Sequence, residues 1–177
     1  MEEFEALKQF FTNMKKLLFV LAVLLVAMSA KAQVTWNIRA GGGIITSSEN
    51  DLWSDGDFNV YPCGAIAIQT NIPLFKHTSK FSFSPTFIAA VGEEYQISFP
   101  LYFGYKIPIG SRKLFFPKIG PMFGYENCSE TWACGPSAEL AFEIKHFILS
   151  VNVNVNLVQL DYYGSRVGAF ATIGYKF

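Results

Sequence analysis

The chain has 177 residues, with 14 Lys and Arg against 14 Asp and Glu, which is one domain's length and an even charge balance. That balance leaves no basic surface for a nucleic-acid partner. Hydrophobic residues make up 51% of the chain and aromatic residues 16%, so the class is decided by how they are distributed.

Residues 1–13 open with Glu2, Glu3 and Glu5, an acidic start that does not suit the positive n-region expected ahead of an export signal. They read as an upstream extension, with Met14 as the true start. Residues 14–32 read as a secretory signal peptide: Lys15 and Lys16, the apolar run Leu17 to Met28, then Ser29-Ala30-Lys31-Ala32 as a small-x-small cleavage site. Twelve apolar residues rise only about 18 Å as a helix, short of a hydrocarbon core of about 30 Å. Cleavage after Ala32 leaves residues 33–177 as the mature domain, with a net charge of −1.

After Gln33 the apolar period is two. The clearest case is Val151-Asn152-Val153-Asn154-Val155-Asn156-Leu157, aliphatic on one face and amide on the other, as in a strand that separates an apolar medium from a polar one. Eight such strands are predicted, over roughly 35–45, 60–70, 80–91, 95–107, 114–125, 134–144, 147–158 and 168–177. Most are near the 9–11 residues of a tilted membrane-spanning strand, and longer than the five or six usual in soluble sheets. One face carries Trp36, Ile38, Phe81, Phe83, Phe99, Phe103, Ile119, Phe123, Leu140 and Tyr175; the other carries Asn37, Arg39, Ser82, Ser84, Lys118, Glu139 and Glu143. Eight strands enclose room only for side chains, so the aromatic face is predicted to point to lipid and the polar, glycine-mixed face inward. The fold expected is an all-β, eight-stranded antiparallel up-and-down transmembrane β-barrel.

With both termini in the periplasm, the outward loops hold Glu49, Asp51, Asp55, Asp57, Glu93, Glu94, Glu126, Glu130 and Asp161 against Arg166. The inward turns hold Lys76, Arg112, Lys113 and Lys145. The acidic loops suggest contact with lipopolysaccharide or a surface partner. Asp55-Gly56-Asp57 lacks EF-hand spacing, so no metal site is assigned.

The segments Ile97-Ser98-Phe99-Pro100-Leu101-Tyr102-Phe103-Gly104-Tyr105-Lys106 and Phe116-Pro117-Lys118-Ile119-Gly120-Pro121-Met122-Phe123-Gly124-Tyr125, with the ending Ile173-Gly174-Tyr175-Lys176-Phe177, resemble the PorT-like outer-membrane β-barrel family of Bacteroidetes, a small barrel of the OmpA/OmpX type. The resemblance implies an outer-membrane location at the cell surface. It also implies that Phe177 is the terminal aromatic read by the barrel-assembly machinery.

Within the predicted lumen, pairing Ile144 with Phe147 sets Glu139 opposite Asn152, and pairing Tyr125 with Cys134 sets Lys118 diagonal to Glu139 and Glu143. A charge cluster of Arg39, Lys118, Glu139, Glu143 and Asn152 follows. It reads as a plug, because charges in a narrow interior must be paired. Cys128 and Cys134 flank an outward loop of an exported chain and are a candidate disulfide; Cys63 is left over. His77 and His146 fall in inward turns, away from any serine at the outer rim, so no catalytic site and no cofactor are assigned. The function expected is a structural or surface-interaction barrel, monomeric and in contact with outer-membrane lipid. The alternatives are a narrow porin-like channel, a small-ligand-binding barrel, an accessory of a protein-export machine and a lipid-modifying enzyme.

Overall fold

A computed structural model describes residues 34–48, 58–75, 80–126, 131–157 and 166–177, and the barrel unit spans Thr35–Phe177. The expected start extension and signal peptide lie outside the described residues. So do most of the acidic outward loops.

Strands β1 (Thr35–Ser48), β2 (Phe58–Pro73), β3 (Phe81–Gly92), β4 (Tyr95–Tyr105), β5 (Ile107–Gly110), β6 (Lys113–Glu126), β7 (Thr131–Ile144), β8 (Phe147–Asn156) and β9 (Arg166–Lys176) follow in order. β5 continues the line of β4 beyond Lys106 and both pair with β6, so the nine segments form eight staves. Every pairing is antiparallel, and β1 closes on β9. At the seam the Phe177 N–H donates to the Trp36 carbonyl at 2.8 Å. The expected eight-stranded up-and-down barrel is therefore what the chain forms.

Strand register fixes the barrel's width. From Arg39 the partners run through Ala67, Ile88 and Ser98 to Gly124 in one direction, and through Gly174, Ile148 and Glu143 to Leu114 in the other. Both ends fall on β6, ten residues apart. That stagger tilts the staves and leaves an interior that side chains fill.

The faces are those of a protein in lipid. In β8 the Asn and Ser side chains are buried while Leu149, Val151 and Val153 are exposed. Around the barrel Arg39, Lys118, Glu139 and Glu143 are inside, whereas Phe103, Ile119, Phe123, Leu140 and Ile173 are outside. Water would penalise that arrangement twice, through exposed apolar area and through buried charge. Near one rim Tyr95, Tyr125 and Trp132 pack ring to ring at 6.3 and 5.8 Å. At the other, Phe81 packs on Tyr105 at 4.8 Å and Tyr175 on Phe177 at 5.1 Å. These are the two aromatic girdles of a spanning barrel. We take the rim holding Thr35 and Phe177 as periplasmic.

Three expectations need correction. The hairpin of β6 and β7 pairs Tyr125 with Trp132, not with Cys134, so Lys118 stands directly opposite Glu139 and not opposite Ala141. The strands run on to Glu126 and Thr131, shortening the loop; a slip of two residues keeps every side chain on its face. Glu126 at the end of β6, Arg166 at the start of β9 and Lys113 at the start of β6 are strand residues, not loop or turn residues. Aromatics are also not confined to the outside: Tyr102, Phe116 and Phe170 fill the lumen. They fit because glycine stands against two of them. A Cβ on Gly104 would lie 2.5 Å from the Phe116 ring, and one on Gly43 would lie 2.7 Å from the Phe170 ring.

Ile119, midway along β6 and 66% exposed, tests the direction of the faces. In phospholipid vesicles, urea titration should show Ile119→Arg lowering the unfolding free energy by about 2–4 kcal/mol, against about 0–1 kcal/mol for Val60→Arg near the rim.

Candidate functional site

The lumen is organised around Glu139. Its Oε1 accepts from Lys118 Nζ at 2.6 Å and from Arg39 Nη1 at 2.9 Å; its Oε2 accepts from Arg39 Nη2 at 3.1 Å and from Gln69 Nε2 at 3.2 Å. Four donors fill the capacity of a carboxylate. The Arg39 contact is the two-pronged guanidinium–carboxylate pair, the strongest geometry available to these groups. Exposure is 0% for Glu139, 2% for Arg39 and 4% for Lys118.

A ring of neutral groups holds the charges in place. Gln69 Oε1 accepts from Lys118 Nζ at 2.7 Å and from Asn37 Nδ2 at 3.2 Å, and Gln69 Nε2 also donates to Thr86 Oγ1 at 2.8 Å. Arg39 Nη1 donates to Ser150 Oγ, which is 2.8 Å from Thr172 Oγ1. Lys118 Nζ also lies 4.2 Å from the centre of the Phe116 ring, a cation–π contact. These groups come from seven staves, so the knot exists only once the barrel is closed.

Space for the long cations is made by glycines in register with them. Gly174 is paired with Arg39, and a Cβ there would sit 2.5 Å from Arg39 Cγ; Gly104 is paired with Lys118, and a Cβ there would sit 2.6 Å from Lys118 Cγ.

Of the residues singled out in the sequence, Arg39, Lys118 and Glu139 come together as one group. Glu143 does not join them. Ala141 separates it from Glu139 along β7, and it pairs instead with Lys176 Nζ at 2.5 Å, toward the periplasmic rim. Asn152 stands opposite Glu139 in register but donates to Tyr102 Oη at 3.4 Å. It thereby joins a second chain in which Tyr102 Oη meets Ser137 Oγ at 2.7 Å, Ser137 donates to Asn154 at 2.6 Å, and Asn154 Nδ2 donates to Ser98 at 3.1 Å. Gln69, Thr86, Ser150 and Tyr102 were missed in the sequence. Their parity within each strand was visible, but which staves face one another depends on the stagger. Among the described residues Cys63 and Cys134 are free thiols, Cys134 exposed; Cys128 lies outside the described residues, as does His77. His146 stacks on Tyr175 at 5.4 Å in its turn.

Apolar layers bracket the knot. Phe116, Ala141 and Ile148 close it on the periplasmic side, and Ile45, Ala65, Ala67, Ile88, Ala90 and Phe170 on the other. A water-filled passage would leave accessible surface on its lining, yet Tyr102, Phe116, Met122, Ala141 and Glu139 have none.

Known structures share this architecture. Neisserial surface protein A matches at 10% identity over 80% of this chain and 97% of that one, with a TM-score of 0.51. The chain has the fold of a small outer-membrane β-barrel. Ail of Yersinia pestis also matches, at 10% identity over 81% of this chain and 98% of its own, with a TM-score of 0.48. The N-terminal barrel domain of OprF from Pseudomonas aeruginosa does so at 11% identity, over 83% and 100%, with a TM-score of 0.42. No family model and no curated protein matches the chain, so the PorT-like resemblance stands on its sequence motifs alone.

Truncating Glu139 to Ala should lower stability by about 3–5 kcal/mol, since two buried cations would lose their shared counter-charge. Replacing Arg39, Lys118 and Glu139 together by apolar residues of similar volume should cost far less. Unfolding in vesicles by tryptophan fluorescence measures both.

Proposed function

We propose that this chain is a structural or surface-interaction protein of the bacterial outer membrane, exported by a cleaved signal peptide and closed to solutes by its own side chains. The observation that carries the reading is the inaccessible layer at Glu139, gripped by Arg39, Lys118 and Gln69 and sealed by apolar side chains on both sides. A wall stitched together by charges that are fully paired suits a support that must stay shut, because opening it would strand buried ions.

On this reading the chain is monomeric and carries no enzymatic activity and no cofactor. Its partners are outer-membrane lipid, the assembly machinery acting through Phe177, and lipopolysaccharide or a surface ligand at the acidic outward loops. Glu93 and Glu94, at the β3–β4 turn, are the described part of that acidic rim. The role of an export accessory has the family resemblance alone behind it.

Purified protein in planar bilayers should add no conductance steps, and in liposomes it should leave the swelling rate in small sugars unchanged from protein-free vesicles. Steady unitary conductance would replace this reading with that of a narrow channel.

A further inference from the structure

The periplasmic end of the lumen is built differently from its middle. Beyond the Phe116 layer a cavity of about 360 Å³ gathers four cations, Arg112, Lys113, Lys145 and Lys176, around a single carboxylate, Glu143. They come from three places in the chain: the turn after β5 with the first residue of β6, the turn after β7 and the end of β9. Main-chain bonds tie these places together. The Lys145 N–H donates to the Arg112 carbonyl at 3.1 Å, and the Lys176 N–H donates to the His146 carbonyl at 2.7 Å.

The charges do not balance. Glu143 is already held by Lys176 at 2.5 Å, and among the described residues no carboxylate lies within ion-pair distance of Arg112, Lys113 or Lys145. Arg112, Lys113 and Lys145 are exposed at this mouth, and the half-buried Lys106 also faces Glu143 without an ion pair, so positive charge exceeds negative around the hollow. Lys145 has φ of 56°, the left-handed conformation that a two-residue hairpin turn requires of its first residue and that glycine adopts freely.

Position narrows the chemistry. Ile144 and Phe147 flank the turn and are exposed, and Tyr175 and Phe177 form the girdle beside it. Cations at that height sit level with lipid phosphates.

We propose that the periplasmic mouth is a binding site for a phosphate-class anion, with Arg112 offering paired N–H donors and Lys113 and Lys145 acting as point charges. The phosphate belongs either to a phospholipid headgroup of the adjoining leaflet or to a free solute. The inference goes beyond the plugged-barrel reading and survives its failure, because the bilayer conductance assay and the binding assay report on different ends of the lumen.

The test is a titration of the isotopically labelled mature protein in dodecyl maltoside micelles, which contain no phosphate, with inorganic phosphate, read from amide NMR signals. Saturable shifts at residues 111–113, 143–146 and 176 are expected. Lys145→Gly, which suits the left-handed backbone and so preserves the fold, should weaken binding about fivefold. Glu143→Gln should strengthen it by freeing Lys176. Repeating the titration in phosphatidylglycerol nanodiscs identifies the source: a lost response assigns the site to a headgroup, and a retained one to a free anion. Absence of saturable shifts in the micelles, or an affinity unchanged by Lys145→Gly, overturns the proposal.

Discussion

A buried carboxylate shared by two cations is the interaction on which the rest of the barrel depends. Glu139 meets Arg39 and Lys118 with no accessible surface of its own. Charges taken so far out of water are tolerated only when geometry and extra hydrogen bonds compensate for lost hydration. Gln69, Ser150 and Phe116 provide that compensation, and each comes from a different stave. The knot therefore acts as a check on closure: a barrel with a slipped register would leave at least one ion unpaired, and that penalty disfavours it.

The same requirement explains features that look unrelated. Glycines at 104 and 174 clear the wall so that the stems of Lys118 and Arg39 can lie across it, and Gly104 also makes room for the Phe116 ring. Large inward aromatics alternate with small residues for the same reason, as Phe116 does with Gly104 and Ala141. Outside, the bilayer demands the opposite, and every stave presents aliphatic or aromatic side chains between two rings of Tyr, Trp and Phe. One stretch of chain obeys both demands through the period of two.

Much of this was legible in the sequence. The Val-Asn repeat of β8 declared both faces at once, and the two-residue turn at Lys145-His146 fixed Glu139 opposite Asn152, as found. The charged residues at the centre were identifiable because Arg39, Lys118 and Glu139 share the parity of polar neighbours in their strands. What could not be read were quantities set by closure. The stagger of ten residues decides that Gln69, itself held by Thr86, reaches Glu139 while Asn152 turns to Tyr102. Nor does a loop's sequence say where pairing stops, and so the β6–β7 hairpin was placed two residues out and Glu143 was assigned to the wrong partner. Phe116 and Phe170 had inward parity all along, in step with Lys118 and Thr172. The expectation that the aromatic face points to lipid left them unassigned, because the glycines opposite them were not weighed.

Spin labels placed one at a time from Leu149 to Val155 offer the most direct measurement of the central claim, with collision rates recorded for oxygen, which concentrates in lipid, and for a water-soluble nickel chelate. The account predicts high oxygen access at 149, 151, 153 and 155, and low access to both reagents at 150, 152 and 154. Strong nickel access at the even positions would show an open, watery lumen, and loss of the alternation would show that the strand does not separate lipid from a sealed interior.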